Sequence, residues 1–306
     1  MLYYILYPIM YLISLIPFKV MYFISDILFV LVYHVVGYRK KLVRKNMRDS
    51  FPEKSEKEIV DIEKKFYHWF CDYIFETVKM MSISQEDMRK HMQIDNIEEA
   101  NKILDSGRNI SLFLGHYCNW EWASSIGLHT SHHCAHIYHP LENKAMNKIF
   151  FDFRARFNSQ NLAMNETPRT LITWKRANKV NMVGYISDQA PGYNQMFCFV
   201  NFLNHKDTPV FSGAERMAQL TDAAVFYFRI SRPRRGYYHA EFMKIVDSTK
   251  DFPVHYPTIQ YFKLLEEDIR LNPQYWLWTH NRWKRTIEEY NKIYSEEERK
   301  LRATKA

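Results

Sequence analysis

His116 and Glu121, five positions apart in GHYCNWEW (115–122), are the side chains in this sequence best suited to acid–base chemistry. The short apolar run NISLFL (109–114) before them reads as a strand ending at Gly115, with a helix beginning after His116. Ligand sites in open α/β sheets gather beyond the carboxyl ends of strands, so His116 stands where a reacting group is expected. Glu121 then falls a little over one helical turn further on. From there its carboxylate can reach back and accept a hydrogen bond from one imidazole nitrogen. That contact would fix the tautomer, raise the basicity of the ring and leave the other nitrogen free to take a proton from a hydroxyl. A base held in this way activates an alcohol against an acyl thioester without a covalent enzyme intermediate. Spacing alone fits equally a buried ring beside a surface acid, because H-x4-E arises often by chance.

Three other stretches carry reactive residue types. FRARF (153–157) sets Arg154 and Arg156 near the end of a helix. Two guanidiniums there can clamp a phosphate, steady a developing oxyanion, or neutralise the helix C-terminus. SDQAPG (187–192) follows a strand closely, and Asp188 in it suits catalysis, substrate binding or a turn. HTSHHCAHIYH (129–139) holds five histidines and Cys134, but in a spacing that matches no zinc site, so strand and loop histidines are the simpler reading. Cys71, Cys118, Cys134 and Cys198 show no paired spacing and read as small buried residues of a reducing compartment. With only 8 glycines the chain has no glycine-rich phosphate cradle, and it has no GxSxG nucleophile elbow.

The elements that must position these residues alternate. SFPEKSEKEI (50–59) opens a helix with a Ser55–Glu58 capping box, and apolar residues at helical spacing carry it to about Met81. Strand candidates lie at 109–114, 135–138, 181–187, 196–200, 223–230 and 239–246. Helical stretches lie near 141–157, 167–177, 211–221 and 256–272, and a charged helix over 285–306 ends the chain. This alternation predicts an α/β fold with a mixed, largely parallel central sheet flanked by helices.

The amino terminus is different. Residues 1–18 carry no charge, Lys19 and Asp26 interrupt the apolar run, and residues 27–38 resume it. RKKLVRK (39–45) follows, with five basic residues in seven. This pattern predicts a membrane anchor or an interfacial helical hairpin, with its basic flank on the cytoplasmic side. Pro8 and Pro17 would kink a spanning helix. The chain therefore divides into an anchor with a basic segment (1–45) and a catalytic domain (46–306). A net charge of +8 suits anionic lipid or an acidic protein partner, and no nucleic-acid motif is present.

Taken in order, these pieces resemble the lipid A biosynthesis acyltransferases, the late lauroyl- and myristoyl-transferases of the wider lysophospholipid acyltransferase superfamily, in their Bacteroides-type form. The likeness runs through LIPFKVMYFISDILF (15–29), YRKKLVRKNM (38–47), GHYCNWEW, DQAP (188–191), DTPVFSGAERMA (207–218), RRGYYHAEF (234–242) and PQYWLWTHNRWK (273–284). The resemblance implies that His116 and Glu121 are the catalytic pair. It implies that Asp188 and Gln189 belong to the active site, and that Arg154, with Arg156 close by, contacts a substrate phosphate or the reaction centre. It implies acyl carrier protein as donor, a lipid or glycolipid hydroxyl as acceptor, and an inner-membrane enzyme facing the cytoplasm with neither metal nor organic cofactor. Asn158 and Asn281 stand where the family usually has glycine and arginine, and DQAP replaces its usual DQDxG. Rival readings are a lysophospholipid, an aminoacyl lipid or another glycolipid as acceptor, a hydrolase, or a non-catalytic lipid-binding protein.

Overall fold

A computed structural model describes residues 2–304. Two apolar helices, α1 (Leu2–Leu15) and α2 (Phe18–Val30), open the chain, and a π-helical turn over Leu31–Val36 continues α2. Phe18–Val36 is long and apolar enough, by length and composition, to cross a membrane. Ile5, Ile9, Leu12, Phe23, Ile27 and Val35 are exposed along these helices. The opposite side of α2 packs on the domain through buried Met21 and Ser25, with Phe18 and Phe29 against the core and Tyr22 bonded to Glu76. After α3 (Lys40–Ser50) comes α4 (Glu56–Lys79). It starts where the sequence predicts: Glu58 N–H donates to Ser55 Oγ at 3.4 Å, and Ser55 N–H donates to the Glu58 carboxylate at 2.8 Å.

The remainder is α5 (Gln85–His91), β1 (Met92–Ile94), α6 (Ile97–Asp105), β2 (Ile110–Leu114), β3 (His133–Tyr138), α7 (Lys144–Arg154), β4 (Ser159–Ala163), α8 (Thr167–Arg176), β5 (Asn181–Ile186), β6 (Cys198–Phe202), β7 (His205–Val210), α9 (Gly213–Thr221), β8 (Ala224–Arg234), β9 (Tyr237–Val246), α10 (Tyr256–Leu271), α11 (Ile287–Ile293) and α12 (Glu296–Thr304). Seven strands form one sheet in the order β1-β9-β8-β2-β5-β3-β4, and β6 and β7 form a separate hairpin. All neighbours in the large sheet are parallel except β8 and β9. The sheet is therefore mixed and largely parallel, with helices around it, as the alternation predicts. All five residues of β2 are buried, which fits a central strand covered on both faces.

Candidate active site

β2 and β5 are adjacent parallel strands, in register from Ile110 opposite Met182 to Leu114 opposite Ile186. His116 lies just past the end of one and Asp188 just past the end of the other, so the pairing of the strands alone brings them together. The turn after β2 begins with a glycine because α10 crosses there: a Cβ on Gly115 would lie 2.6 Å from the Leu265 side chain. The segment is then strapped to the stretch after α10. Cys118 N–H donates to Tyr275 O at 2.9 Å, and Leu277 N–H donates to His116 O at 3.1 Å.

The carboxylate in contact with the His116 ring is Asp188, not Glu121, whose two oxygens are taken by Arg154. His116 Nδ1 lies 2.6 Å from Asp188 Oδ1, and its backbone N–H donates to Oδ2 at 2.9 Å. The Trp276 indole donates to the same Oδ2 at 2.8 Å. Burial opposes ionisation of Asp188, but the His116 ring and these donors outweigh it and hold its carboxyl down at about 2. An ionised Asp188 can only accept, so it accepts the hydrogen bond from Nδ1–H and leaves Nε2 as the ring's acceptor. The Gln189 amide nitrogen sits 3.2 Å from Nε2 and covers it. The side chain is 19% exposed.

Glu121 forms a second pair. Arg154, at the end of α7, donates Nε and Nη2 to its two oxygens at 2.7 and 2.6 Å. Burial works against the Glu121 anion, but the Arg154 guanidinium more than compensates and holds its carboxyl below the usual range. Tyr73 packs on Trp120 with ring centroids 4.2 Å apart and turns its hydroxyl toward Glu121. Trp120 in turn meets the His116 ring edge-on at 5.1 Å, which bridges the two pairs.

The physical reason for the exchange of partners is local. No α-helix follows His116. Cys118 takes a left-handed φ of 51°, and a short 3₁₀ helix starts only at Trp122. Glu121 is thereby carried away from the imidazole and toward α7. Arg156 also departs from expectation: it donates to Met80 O and, at 3.1 Å, to Ile83 O, just beyond the end of α4. Residues two apart on a helix do not share a face, so Arg154 enters the site and Arg156 leaves it. Asn158 has a φ of 57°, a conformation that glycine adopts freely and asparagine tolerates.

Sequence spacing gave no sign of three further neighbours. Trp276 binds Asp188; His280 Nε2 accepts from Ala190 N–H at 3.2 Å; Arg282 is fully buried and donates to Pro209 O at 2.8 Å. Burial, aided by the nearby cations, pushes His280 down to about 4, so it is neutral near pH 7. Their only signal was their place in the tryptophan-rich PQYWLWTHNRWK. Asn281 is exposed beside them.

The histidines of 129–139 do not converge: His132 pairs with Asp105, His136 with Asn161, and His133 packs against Trp174. Asp26, His68 and Asp72 place ligand atoms within 4.8 Å of one another. Arg232 and Arg235 already occupy Asp72, and two cations there oppose a third.

Residues 1–285 match the family model for bacterial lipid A biosynthesis acyltransferases. A comparison with curated protein sequences gave no match. The chain belongs to the bacterial lipid A biosynthesis acyltransferase family.

Proposed function

From membership of this acyltransferase family we infer a membrane-bound O-acyltransferase that moves a fatty acyl chain from acyl carrier protein to a hydroxyl of a lipid A precursor. The observation that carries the mechanism is the His116–Asp188 contact at Nδ1, which leaves Nε2 with only the Gln189 amide against it. The acceptor hydroxyl displaces the Gln189 amide and hydrogen-bonds to Nε2. His116 takes its proton as the oxygen attacks the thioester carbonyl carbon, and the charge that appears on the ring faces Asp188. The tetrahedral intermediate collapses with cleavage of the carbon–sulfur bond, and the imidazolium returns its proton to the leaving thiolate. Arg154 has two donors committed to Glu121, and its remaining nitrogen serves an oxyanion or a substrate phosphate. Glu121 thus acts by holding Arg154 rather than by orienting the base.

The exposed apolar face of α1 and α2 suits residence in the inner membrane, with the basic segment at 39–45 on the cytoplasmic side. A net charge of +8 favours encounter with an acidic carrier protein. The test has two arms. Mass spectrometry of lipids from cells with and without the protein should show lipid A one acyl chain short in its absence. Purified protein should transfer acyl groups from acyl carrier protein to that short species, and His116→Ala should reduce the rate by roughly two to four decades. Unchanged lipid A, with a different lipid missing its chain, would move the acceptor elsewhere.

A further inference from the structure

Glu76 on α4 takes no part in the transfer, yet it joins the membrane-facing helix to the loop that carries Glu121. Its side chain is fully buried. Oε1 accepts from the Tyr22 hydroxyl of α2 at 2.9 Å. Oε2 accepts from Asn119 Nδ2 at 2.8 Å and from the Tyr238 hydroxyl at 2.6 Å. Its backbone carbonyl accepts from the Trp122 indole at 3.0 Å. Asn119, also fully buried, accepts the Trp122 N–H on its Oδ1 at 3.1 Å. Residues 119 and 122 are thus clamped to one residue of α4, and Glu121 lies between them.

A turn earlier on α4, Asp72 accepts from Ser25 Oγ at 2.7 Å and pairs with Arg232 and Arg235; Arg235 also pairs with Asp26 at 2.6 Å. Three polar residues of α2 at i, i+3 and i+4, Tyr22, Ser25 and Asp26, therefore meet the domain as a set. The clamp also holds against a bias. Cys118 sits at a left-handed φ of 51°, which a residue with a side chain keeps only when its surroundings over-determine it. A carboxylate buried this deeply demands its donors, so the loss of one disturbs the others.

We propose that Glu76 is a positioning residue for the Glu121–Arg154 pair, and that it makes the seating of α2 on the domain a condition of an ordered active site. On this view α2 does more than attach the enzyme to lipid: lifting it off the domain disorders the site even where substrate is in reach. The inference rests on the reading of Glu121 and Arg154 as active-site residues.

The experiment uses the full chain in lipid nanodiscs, as wild type, Tyr22→Phe, Asn119→Ala, the double variant, Glu76→Gln and Glu76→Ala. Acyl transfer to the lipid A precursor is followed together with the thermal midpoint and the ¹⁵N signal of the Arg154 guanidinium. Tyr22→Phe and Asn119→Ala should each lower kcat by roughly 2- to 30-fold, the range of single changes within a coupled network, with KM for the acyl donor unchanged. The double variant should lose little more than the worse single one, because both act through Glu76. Glu76→Gln, which keeps the oxygen shared by Asn119 and Tyr238, should retain more activity than Glu76→Ala. The Arg154 signal should move in Tyr22→Phe. Wild-type kcat in Tyr22→Phe, losses that multiply, or losses that merely track the thermal midpoint would overturn the proposal. If the wild type transfers nothing, the transferase reading fails, and the Arg154 signal alone decides the positioning role: a shift in Tyr22→Phe supports it and an unmoved signal ends it.

Discussion

Asp188→Asn removes a charge and almost no volume, and the hydrogen bonds around it dictate the result. Asp188 accepts three: Oδ1 from the His116 ring, and Oδ2 from the His116 backbone N–H and the Trp276 indole. An amide has one oxygen. The two donors at the Oδ2 position cannot become acceptors, so the amide turns its oxygen to them and its NH₂ toward Nδ1. A donor facing Nδ1 requires that nitrogen to be bare, and the ring proton moves to Nε2. The nitrogen that must accept the hydroxyl proton then already carries one. The carboxyl of Asp188 sits at about 2 against an ordinary 3.8, so its surroundings favour the anion by about 2 kcal/mol net of burial. The same contacts that stabilise the anion reject the amide. The expected loss in kcat is about two to four decades, the usual reach of positioned acid–base catalysis. Transfer by purified Asp188→Asn is measured by mass spectrometry of the acylated acceptor, and the tautomer is read from histidine ¹³C shifts. A kcat within about threefold of wild type, with the Nδ1–H tautomer retained, would refute the reasoning. If Glu121→Gln then lost as much as His116→Ala, Glu121 would be restored as the orienting carboxylate.

Arg154→Ala leaves the buried Glu121 carboxylate without its partner and should destabilise the fold by about 3–5 kcal/mol, the cost of breaking a buried pair from one side, as read by thermal unfolding in detergent. Arg156→Gln loses bonds to Met80 O and Ile83 O outside the site; it should lower the thermal midpoint while leaving kcat within about threefold of wild type. The folded-state carboxyl of Asp188 is depressed, so the stability it contributes is complete above its ordinary 3.8 and lost as pH falls toward about 2. Acid unfolding followed by tryptophan fluorescence should therefore show a loss of about 2 kcal/mol across that window, and Glu121 adds to it in the same direction. A stability flat between those limits would contradict the pairing.

The capping box at Ser55 and Glu58 marks the start of α4, and the short apolar run at 109–114 marks β2, because both signals are local. His116 and Asp188 were legible as separate strand-end residues. Their contact was not, since 72 positions separate them and only the pairing of β2 with β5 closes that gap. Glu121 was misdirected by the assumption of a regular helix, which the left-handed Cys118 breaks. The strands β1, β4 and β7 escaped notice for physical reasons too. β1 has three residues, SQNLA (159–163) is polar at its start, and HKDTPV (205–210) carries a proline and an aspartate at a φ of 48°. The separation of Arg154 from Arg156 needed only helical geometry.

The contact between Asp26 and Arg235 spans 209 residues of chain. A ribosome adding about 5–20 residues per second takes roughly 10–40 s to get from one to the other. For most of that interval Asp26 on α2 lacks its arginine, and the apolar side of the helix is bare. Glu76 and Asp72 emerge early, but Arg232, Arg235 and Tyr238 complete the cluster only near the end of synthesis. The timing of translation thus bears on assembly: the cluster around Asp72 is complete only when the β8–β9 hairpin arrives. Synonymous changes that slow the ribosome between residues 80 and 230 would lengthen that exposure without altering one contact of the finished protein.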